Sequence, residues 1–237
     1  MLNNRKMIVA DYDGTFFINE EGIKENVDKV NKYRQENNIF IIATGNNWNH
    51  FQEVISKNNI KYDYLILDQG ATIFDNKGNL LKFYCLNPII LKEIIDEIKQ
   101  INKEYKLCTQ YKEVKTLEEN NITKIAVDFT DLREAKEFTN KINKKFGEDV
   151  NAYTMIFDEV NIVEIISSTT DKKEAIEYII NHEKISKENV YTIGNGYNDI
   201  SMIKSFNGYC IKNSVQELLK ECSNNVNSVA ELIEKII

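Results

Sequence analysis

Short apolar runs alternate with longer stretches of helical spacing over the first third of the chain. The runs predict buried strands at Met7–Ala10, Ile39–Gly45 and Tyr64–Leu67. The stretches between them predict amphipathic helices over Ile23–Glu36 and His50–Asn59. Strands that alternate with helices are typical of right-handed βαβ units, which build a parallel sheet.

The pattern changes after Gly70. Two strand-like arms flank Asn76-Lys77-Gly78, which is a hairpin signal, and Pro88 stands where a helix can begin. The stretches that follow predict helix, strand, helix, strand and strand, in "IILKEIIDEIKQI", "ITKIAVDF", "LREAKEFTNKI", "AYTMIF" and "NIVEII". We interpret residues 84–162 as an inserted α+β domain, and residues 1–83 and 163–237 as the core that carries it.

The alternating pattern resumes after the insert. It predicts a helix over 171–181, the strand "VYTIG" at 190–194, a short helix over 198–204 and the strand "GYCIK". Two further helices are predicted over 214–221 and 228–237. The fold class predicted for the whole chain is α/β, with a Rossmann-like parallel-sheet core and an α+β insertion.

Composition limits the partners of the protein. The chain of 237 residues is 42% hydrophobic and 28% charged, and it carries a net charge of −7. An acidic balance argues against nucleic acid or an anionic membrane as a partner. Any anionic ligand must therefore be bound by a local site.

The cysteines and the apolar segments point to the cytoplasm. The four cysteines are scattered without a CxxC pair, so we expect reduced thiols at Cys85, Cys108, Cys210 and Cys222. No charged-then-apolar leader opens the sequence, and no stretch has the apolar length of a membrane span. We expect a cytoplasmic protein, and the sequence does not predict its oligomeric state.

Polar clusters follow the predicted strands and helix starts that face one edge of the sheet. The four clusters are Asp11–Thr15, Thr44–Asn46, Lys172–Lys173 and Gly194–Asp199. Ligands of parallel sheets bind beyond the carboxyl ends of the strands. Clusters that are distant in sequence can therefore share one site.

The first cluster sets two carboxylates one residue apart, at Asp11 and Asp13. In an extended segment both side chains lie on the same side, because side chains alternate. Two carboxylates about 4 Å apart repel by roughly 4 kcal/mol near a protein surface. A divalent cation, a shared proton or a lysine must relieve that repulsion. Gly14 lets the backbone turn and approach a ligand closely.

These clusters resemble the four motifs of the haloacid dehalogenase (HAD) superfamily of phosphotransferases. Asp11-Tyr12-Asp13-Gly14-Thr15 resembles motif I, DxDGT, and Thr44-Gly45 resembles motif II. Lys172 resembles motif III, with Lys173 as a rival, and "IGNGYNDISMI" resembles motif IV. The order, the spacing and the long insert are similar to the Cof-type hydrolases, whose α+β cap covers the site. "LDQGATIFDNKG" resembles the hairpin of that subfamily, with Gln69 where Asn is usual.

The resemblance implies roles for individual residues. Asp11 would be the nucleophile, Asp13 the general acid and base, and Thr44 and Lys172 would bind the phosphoryl group. Mg²⁺ would be the cofactor, with a small phosphorylated metabolite, such as a sugar phosphate, as substrate. Implied phosphate-binding residues are Gly14, Thr15, Gly45, Asn46, Asn198 and Asn213. Implied metal ligands are Asp11, Asp13, Asn195 and Asp199.

Two positions depart from the family pattern. Asn195 stands where an acidic metal ligand is usual, so one negative charge is missing and we expect weaker Mg²⁺ binding. Asn46 stands where an arginine commonly helps to hold the substrate.

Three other functions remain open beside a phosphatase. A non-catalytic sensor of phospho-ligands would explain the altered metal site. A phosphomutase would share the motifs and would need a bisphosphate activator. A receiver-like signalling domain would place its acceptor at Asp68, but a receiver has no insert of this size.

Overall fold

A computed structural model describes residues 5–115, 121–157 and 159–237. Thirteen strands are present in this part of the chain, and they form two sheets. In chain order they are β1 (Met7–Asp11), β2 (Ile39–Ala43), β3 (Tyr64–Leu67), β4 (Thr72–Asp75), β5 (Leu80–Phe83), β6 (Tyr105–Cys108), β7 (Glu113–Val114), β8 (Lys124–Phe129), β9 (Val150–Ile156), β10 (Asn161–Ser167), β11 (Val190–Gly194), β12 (Asn207–Ile211) and β13 (Asn225–Val226).

The larger sheet has the order β13-β12-β11-β1-β2-β3-β4-β5. Its pairs are parallel from β13 to β3, and β4 and β5 then add an antiparallel hairpin. The second sheet is antiparallel, in the order β7-β6-β8-β10-β9. A parallel-rich core with an inserted α+β unit confirms the predicted fold class.

Eight α-helices cover the two sheets within the described residues. They are α1 (Glu20–Gln35), α2 (Trp48–Asn58), α3 (Pro88–Gln100), α4 (Leu132–Phe146), α5 (Lys172–Glu183), α6 (Ile200–Ser205), α7 (Gln216–Glu221) and α8 (Val229–Ile236). Short 3₁₀ turns lie at 68–70, 187–189 and 197–199. None of the helices in this part of the chain combines the length and apolar composition that crossing a membrane requires.

The strands of the larger sheet are buried on both faces. In β1, Ile8 and Ala10 pack on the side of α1, α2 and α8, while Met7 and Val9 pack on the side of α5, α6 and α7. This two-sided burial explains why the strands are continuous apolar runs rather than alternating ones. The second sheet packs its own apolar core against α3 and α4.

Strand β10 runs through the predicted limit of the insert. Ile162 and Val163 are neighbours in this strand, and the whole of Asn161–Ser167 pairs with β8 and β9. The limit that we set at residue 162 is therefore too early, because the second sheet extends to Ser167. The division of the chain into two domains otherwise stays a prediction.

The sequence did not predict three short strands or one disulfide. Strands β6, β7 and β13 have four, two and two residues, which is too short for a clear apolar period. Cys210 and Cys222 form a disulfide with Cα atoms 6.3 Å apart, so the expectation of four reduced thiols is wrong for this pair. The chain returns through α7 to pair Asn224 with Cys210, which brings the two cysteines together. Cys85 and Cys108 are free.

Candidate active site

The end of β1 and the turn after it place the paired aspartates. Asp11 and Asp13 both line one cavity, whereas Tyr12 points into the core, where its ring lies 5.0 Å from that of Phe51. This confirms the predicted alternation of side chains. Gly14 has a φ of +79°, and a Cβ there would overlap the side-chain amide of Asn195. Glycine is therefore required by the backbone and by its neighbour.

Lys172 relieves the charge on the aspartates. It is the first residue of α5, and its Nζ donates to Asp11 Oδ1 at 2.6 Å and to Asp199 Oδ1 at 2.7 Å. All three residues are buried. Lys173 instead forms an ion pair with Glu174, which decides between the two candidate lysines in favour of Lys172.

Asp199 is occupied by protein groups on both oxygens. While Oδ1 accepts from Lys172, Oδ2 accepts from the backbone N–H groups of Asn195 and Gly196, at 2.9 Å each. The 3₁₀ turn directly after β11 creates this arrangement. Asp199 thus holds Lys172 in place, and its predicted role as a metal ligand stays a prediction.

Thr44 and Asn46 follow β2 and face the aspartates. The Thr44 hydroxyl oxygen accepts from Asn46 N at 3.2 Å and from Asn46 Nδ2 at 3.1 Å. Its own proton therefore stays available for a ligand. Asn46 Nδ2 also lies 3.3 Å from Asp13 Oδ2, to which it donates. Asn46 thus orients both neighbours.

Burial dominates the electrostatics of the site. It raises the pKa of Asp11 to about 8, with a further contribution from Asp199, while Lys172 acts in the opposite direction. Burial also raises the pKa of Asp13, against the effect of Lys172. Burial disfavours charged Lys172, but Asp11 and Asp199 outweigh this and raise its pKa above the usual range. A lysine that stays charged beside a buried carboxyl suits anion chemistry.

The donor set fits a Mg²⁺ ion that keeps most of its water. Within the described ranges, no three His, Cys, Asp or Glu side chains converge as they would in an all-protein metal cage. The cavity does present the carboxylates of Asp11 and Asp13 and the amide of Asn195. Mg²⁺ is usually held by one or two carboxylates, with water and substrate phosphate completing its shell. Asn195 Oδ1 also accepts from Thr15 Oγ1 at 3.2 Å, which fixes the amide at this position.

Some of the remaining predicted phosphate-binding residues lie at the cavity and others do not. Gly45 and Asn198 line the cavity, and Asn198 Nδ2 donates to Gln69 Oε1 at 2.8 Å. Thr15 is fully buried beneath the site. Asn213 is exposed and does not line the cavity, so the structure does not bring this predicted phosphate ligand to the site. Its neighbour Ser214 instead packs under Gly194, with Oγ 3.4 Å from the carbonyl oxygen.

Sequence reasoning missed a polar cluster that joins the insert to the core. Lys124 of β8 contacts the Gly45 carbonyl oxygen, and its Nζ lies 2.7 Å from Glu164 Oε1 and 3.4 Å from Asp68 Oδ1. Gln69 Nε2 donates to the other Glu164 oxygen at 2.5 Å. We call Asp68, Gln69, Lys124 and Glu164 the latch cluster. The available signal was a charged residue in each of two largely apolar strands, Lys124 at the start of "KIAVDF" and Glu164 within "NIVEII".

The cavity above the aspartates measures about 170 Å³. Its core side is polar, with Asp11, Asp13, Thr44, Asn46 and Asn195. Its other side is formed by the β9–β10 hairpin, which supplies Thr154, Met155, Ile156, Phe157, Ile162 and Glu164. The insert thus acts as a cap over the site.

Comparisons with known proteins agree with this geometry. A family model described as haloacid dehalogenase-like hydrolase matches residues 8–114 and 99–233. A protein of Buchnera aphidicola subsp. Baizongia pistaciae, named "Putative phosphatase", is 25% identical over 97% of both chains. A protein of Haemophilus influenzae with the same name is 21% identical over 91% of this chain and 88% of its own.

Solved structures share the fold over nearly the whole chain. A haloacid dehalogenase-like hydrolase from B. subtilis superposes with a TM-score of 0.84 at 15% identity. The match covers 98% of this chain and 100% of the B. subtilis chain. A haloacid dehalogenase-like hydrolase from Bacteroides thetaiotaomicron gives a TM-score of 0.78 at 16% identity, with 98% and 100% covered. The family model spans most of the sequence and includes all four motifs at the sheet edge. The chain therefore belongs to the haloacid dehalogenase-like hydrolase family and is an enzyme of that family.

Proposed function

We propose that the protein is a Mg²⁺-dependent phosphatase that hydrolyses small phosphorylated metabolites through an aspartyl-phosphate on Asp11. The observation that carries this proposal is the position of the Asp11 carboxylate. One oxygen is held by Lys172 at 2.6 Å, and the residue lines the cavity beside Asp13. The relatives named as phosphatases support the same reaction.

The first step forms a bond between Asp11 and phosphorus. Lys172 favours the ionised form of Asp11, against the effect of burial, and a carboxylate oxygen of Asp11 then attacks in line. The bond from phosphorus to the ester oxygen breaks, and the leaving alkoxide takes a proton from Asp13. The pKa of Asp13 is raised, which favours the protonated form that donates in this step. The products of this step are the free alcohol, the aspartyl-phosphate on Asp11 and ionised Asp13.

The second step returns the enzyme to its starting state. Ionised Asp13 takes a proton from water, and the water oxygen attacks phosphorus. The acyl-phosphate bond breaks, so Asp11 is again a carboxylate and inorganic phosphate leaves. Asn46, which donates to Asp13 at 3.3 Å, keeps this carboxyl oriented for both proton transfers.

Charge stabilisation comes from groups that are already in place. Lys172 lies against Asp11, and the Thr44 hydroxyl has a proton free to donate to a phosphoryl oxygen. Such preorganised donors are the main requirement of phosphoryl transfer. Asp11, Asp13 and Asn195 would hold Mg²⁺, with Asp199 behind them. When bound, the ion would neutralise charge on the phosphoryl oxygens.

The test is a hydrolysis assay with Mg²⁺ on p-nitrophenyl phosphate and a panel of phosphorylated metabolites. Activity should appear in the wild type and vanish in Asp11→Asn. The control is Asp28→Asn, an exposed aspartate of α1, which should be fully active. Equal activity in both variants would refute the role of Asp11 as nucleophile.

The altered metal site supports a second candidate, a phospho-ligand sensor. The Asn195 amide, bonded to Thr15, occupies the place of an acidic ligand and supplies no charge. If the protein is a sensor, the wild-type chain would bind phosphorylated ligands and hydrolyse none of the panel at high Mg²⁺.

We also propose that the protein is cytoplasmic, which cell fractionation would test.

A further inference from the structure

The cap side of the cavity is a hydrocarbon surface. Met155 of β9 and Ile162 of β10 are directly opposite each other in the register, so both project from one face of the cap sheet. Ile156 and Phe157 continue the same hairpin. We call Met155, Ile156, Phe157 and Ile162 the apolar cap wall.

Two large side chains of the apolar cap wall are exposed to solvent. Ile156 is 46% exposed and Phe157 is 43% exposed, although both line the cavity. Single exposed apolar residues are ordinary. Met155 and Ile162 face the catalytic centre, and Ile156 and Phe157 line the same cavity where β9 ends, so the four residues offer a surface that a ligand can cover.

The polar side chains of the cap that line the cavity are already hydrogen-bonded within the protein. Glu164 uses one oxygen for Lys124 and the other for Gln69. The Thr154 hydroxyl lies 2.7 Å from the Thr139 hydroxyl of α4, to which it is hydrogen-bonded. A sugar that entered the cavity would therefore press the hydroxyl groups on its cap side against hydrocarbon, where they find few partners, which is costly.

The charges of the cavity also limit the leaving group. Asp11, Asp13 and Glu164 line it, and among the described lining residues there is no lysine or arginine. The nearby cations Lys172 and Lys124 are buried, and each is held by carboxylates. A second phosphate or a carboxylate on the substrate would find no counter-charge. The phosphomutase alternative, which needs a bisphosphate, is disfavoured for the same reason.

We propose that the substrate is a monophosphate ester of a small alcohol with an apolar or aromatic face and no second anionic group. The phosphate lies against Asp11 and Thr44, and the apolar face packs on the cap wall. The cavity of about 170 Å³ fits a small leaving group, since pockets for drug-sized ligands span about 300–1,000 Å³. This inference rests on the proposed phosphatase function, and it replaces the sugar phosphates expected from the sequence.

The test compares kcat/KM for benzyl phosphate, a hexose monophosphate and a hexose bisphosphate, all with Mg²⁺. Benzyl alcohol and a primary sugar hydroxyl are leaving groups of similar basicity, so the comparison reports on binding rather than bond strength. Benzyl phosphate should exceed the hexose monophosphate by about tenfold or more, and the bisphosphate should be the poorest.

Phe157→Ser provides the structural control. It should lower kcat/KM for benzyl phosphate by about tenfold and leave the hexose monophosphate within about twofold. Phe83→Ser, at a phenylalanine of β5 that is 40% exposed and lies outside the cavity, should change neither. Benzylphosphonate, which cannot be hydrolysed, should inhibit more strongly than methylphosphonate in the wild type but not in Phe157→Ser.

The outcomes separate the two proposals. If the hexose monophosphate is the better substrate and its hydrolysis depends on Asp11, the apolar substrate class is wrong and the phosphatase stands. If Phe157→Ser affects both monophosphates equally, the cap wall does not select the leaving group. If no ester is hydrolysed at any Mg²⁺ concentration, both proposals are wrong.

Discussion

At the scale of single residues, Lys172 is the centre of the site. Its Nζ lies between Asp11 and Asp199, and all three side chains are buried. A buried charge that loses its partner is costly, because neither water nor another group replaces the lost interaction. Lys172 therefore serves stability and chemistry together, in contrast to Lys173 one residue away.

Replacing Lys172 should lower both the catalytic activity and the stability of the protein. We expect Lys172→Ala to abolish measurable turnover and to lower the free energy of unfolding by about 3–5 kcal/mol, since it removes the cation from buried Asp11 and leaves Asp199 Oδ1 without its donor. Urea unfolding followed by circular dichroism measures the second effect. Lys173 forms a partly exposed ion pair with Glu174. Lys173→Ala should therefore change turnover and the free energy of unfolding little. Equal effects in the two variants would contradict the assignment.

Asn195 is the uncharged member of the proposed metal site. Asn195→Asp restores a negative charge beside Asp11, so the apparent Mg²⁺ affinity should rise, and the metal-free protein should be less stable because like charges repel. Mg²⁺ titration of activity and metal-free thermal unfolding report these two effects. If Asn195→Asp does not raise the apparent Mg²⁺ affinity, the side chain at position 195 is not a metal ligand.

At the scale of elements, the loops after β2 and β3 meet the cap strands β8 and β10 in the latch cluster. Gln69 contacts both Asn198 of the core and Glu164 of the cap, and a Cβ at Gly45 would overlap Gln69 and Glu164. Gln69 is one methylene longer than the asparagine usual in the related hairpins, which gives it this reach. The cap is thus tied to the loops that carry the phosphate site.

Asp68 gives this contact a pH dependence. Burial raises the pKa of Asp68 from 3.8 to about 7, with Lys124 acting in the opposite direction. A proton held more tightly in the folded state stabilises the protein fully at low pH, and this contribution is lost as the pH rises through 7. Between about pH 5 and about pH 8, the free energy of unfolding of the wild type should fall by roughly 2 kcal/mol relative to Asp68→Asn.

Urea unfolding of both proteins at the two pH values tests this expectation. Asp75→Asn is the matched control. Burial acts to raise the pKa of Asp75, the last residue of β4, but its hydrogen bonds to Asn79 and Lys77 together outweigh burial and lower that pKa. That group is ionised throughout the range, so its replacement should add no pH dependence. If the difference in free energy of unfolding between the wild type and Asp68→Asn is the same at both pH values, Asp68 is ionised in the folded protein.

At the scale of the whole molecule, the sequence predicted what local patterns determine. The turn after β1, the helix predicted over 171–181 and found at Lys172–Glu183, and the parallel pairing of the core strands follow from apolar period and motif spacing. The latch cluster and the Cys210–Cys222 pair did not, because each joins elements whose contact depends on tertiary packing. Strand β10 of the cap sheet runs through the predicted limit at residue 162, because no change in composition marks the end of the insert.

The central claim is that Asp11 accepts the phosphoryl group. The most direct measurement uses Asp13→Asn with p-nitrophenyl phosphate and Mg²⁺, because this ester needs little help from an acid to leave, whereas release of phosphate needs Asp13 as base. After acid quenching, mass spectrometry should find one phosphoryl group on the peptide that contains Asp11. Phosphate release without any such adduct, or an adduct that persists in Asp11→Asn/Asp13→Asn, would contradict the account.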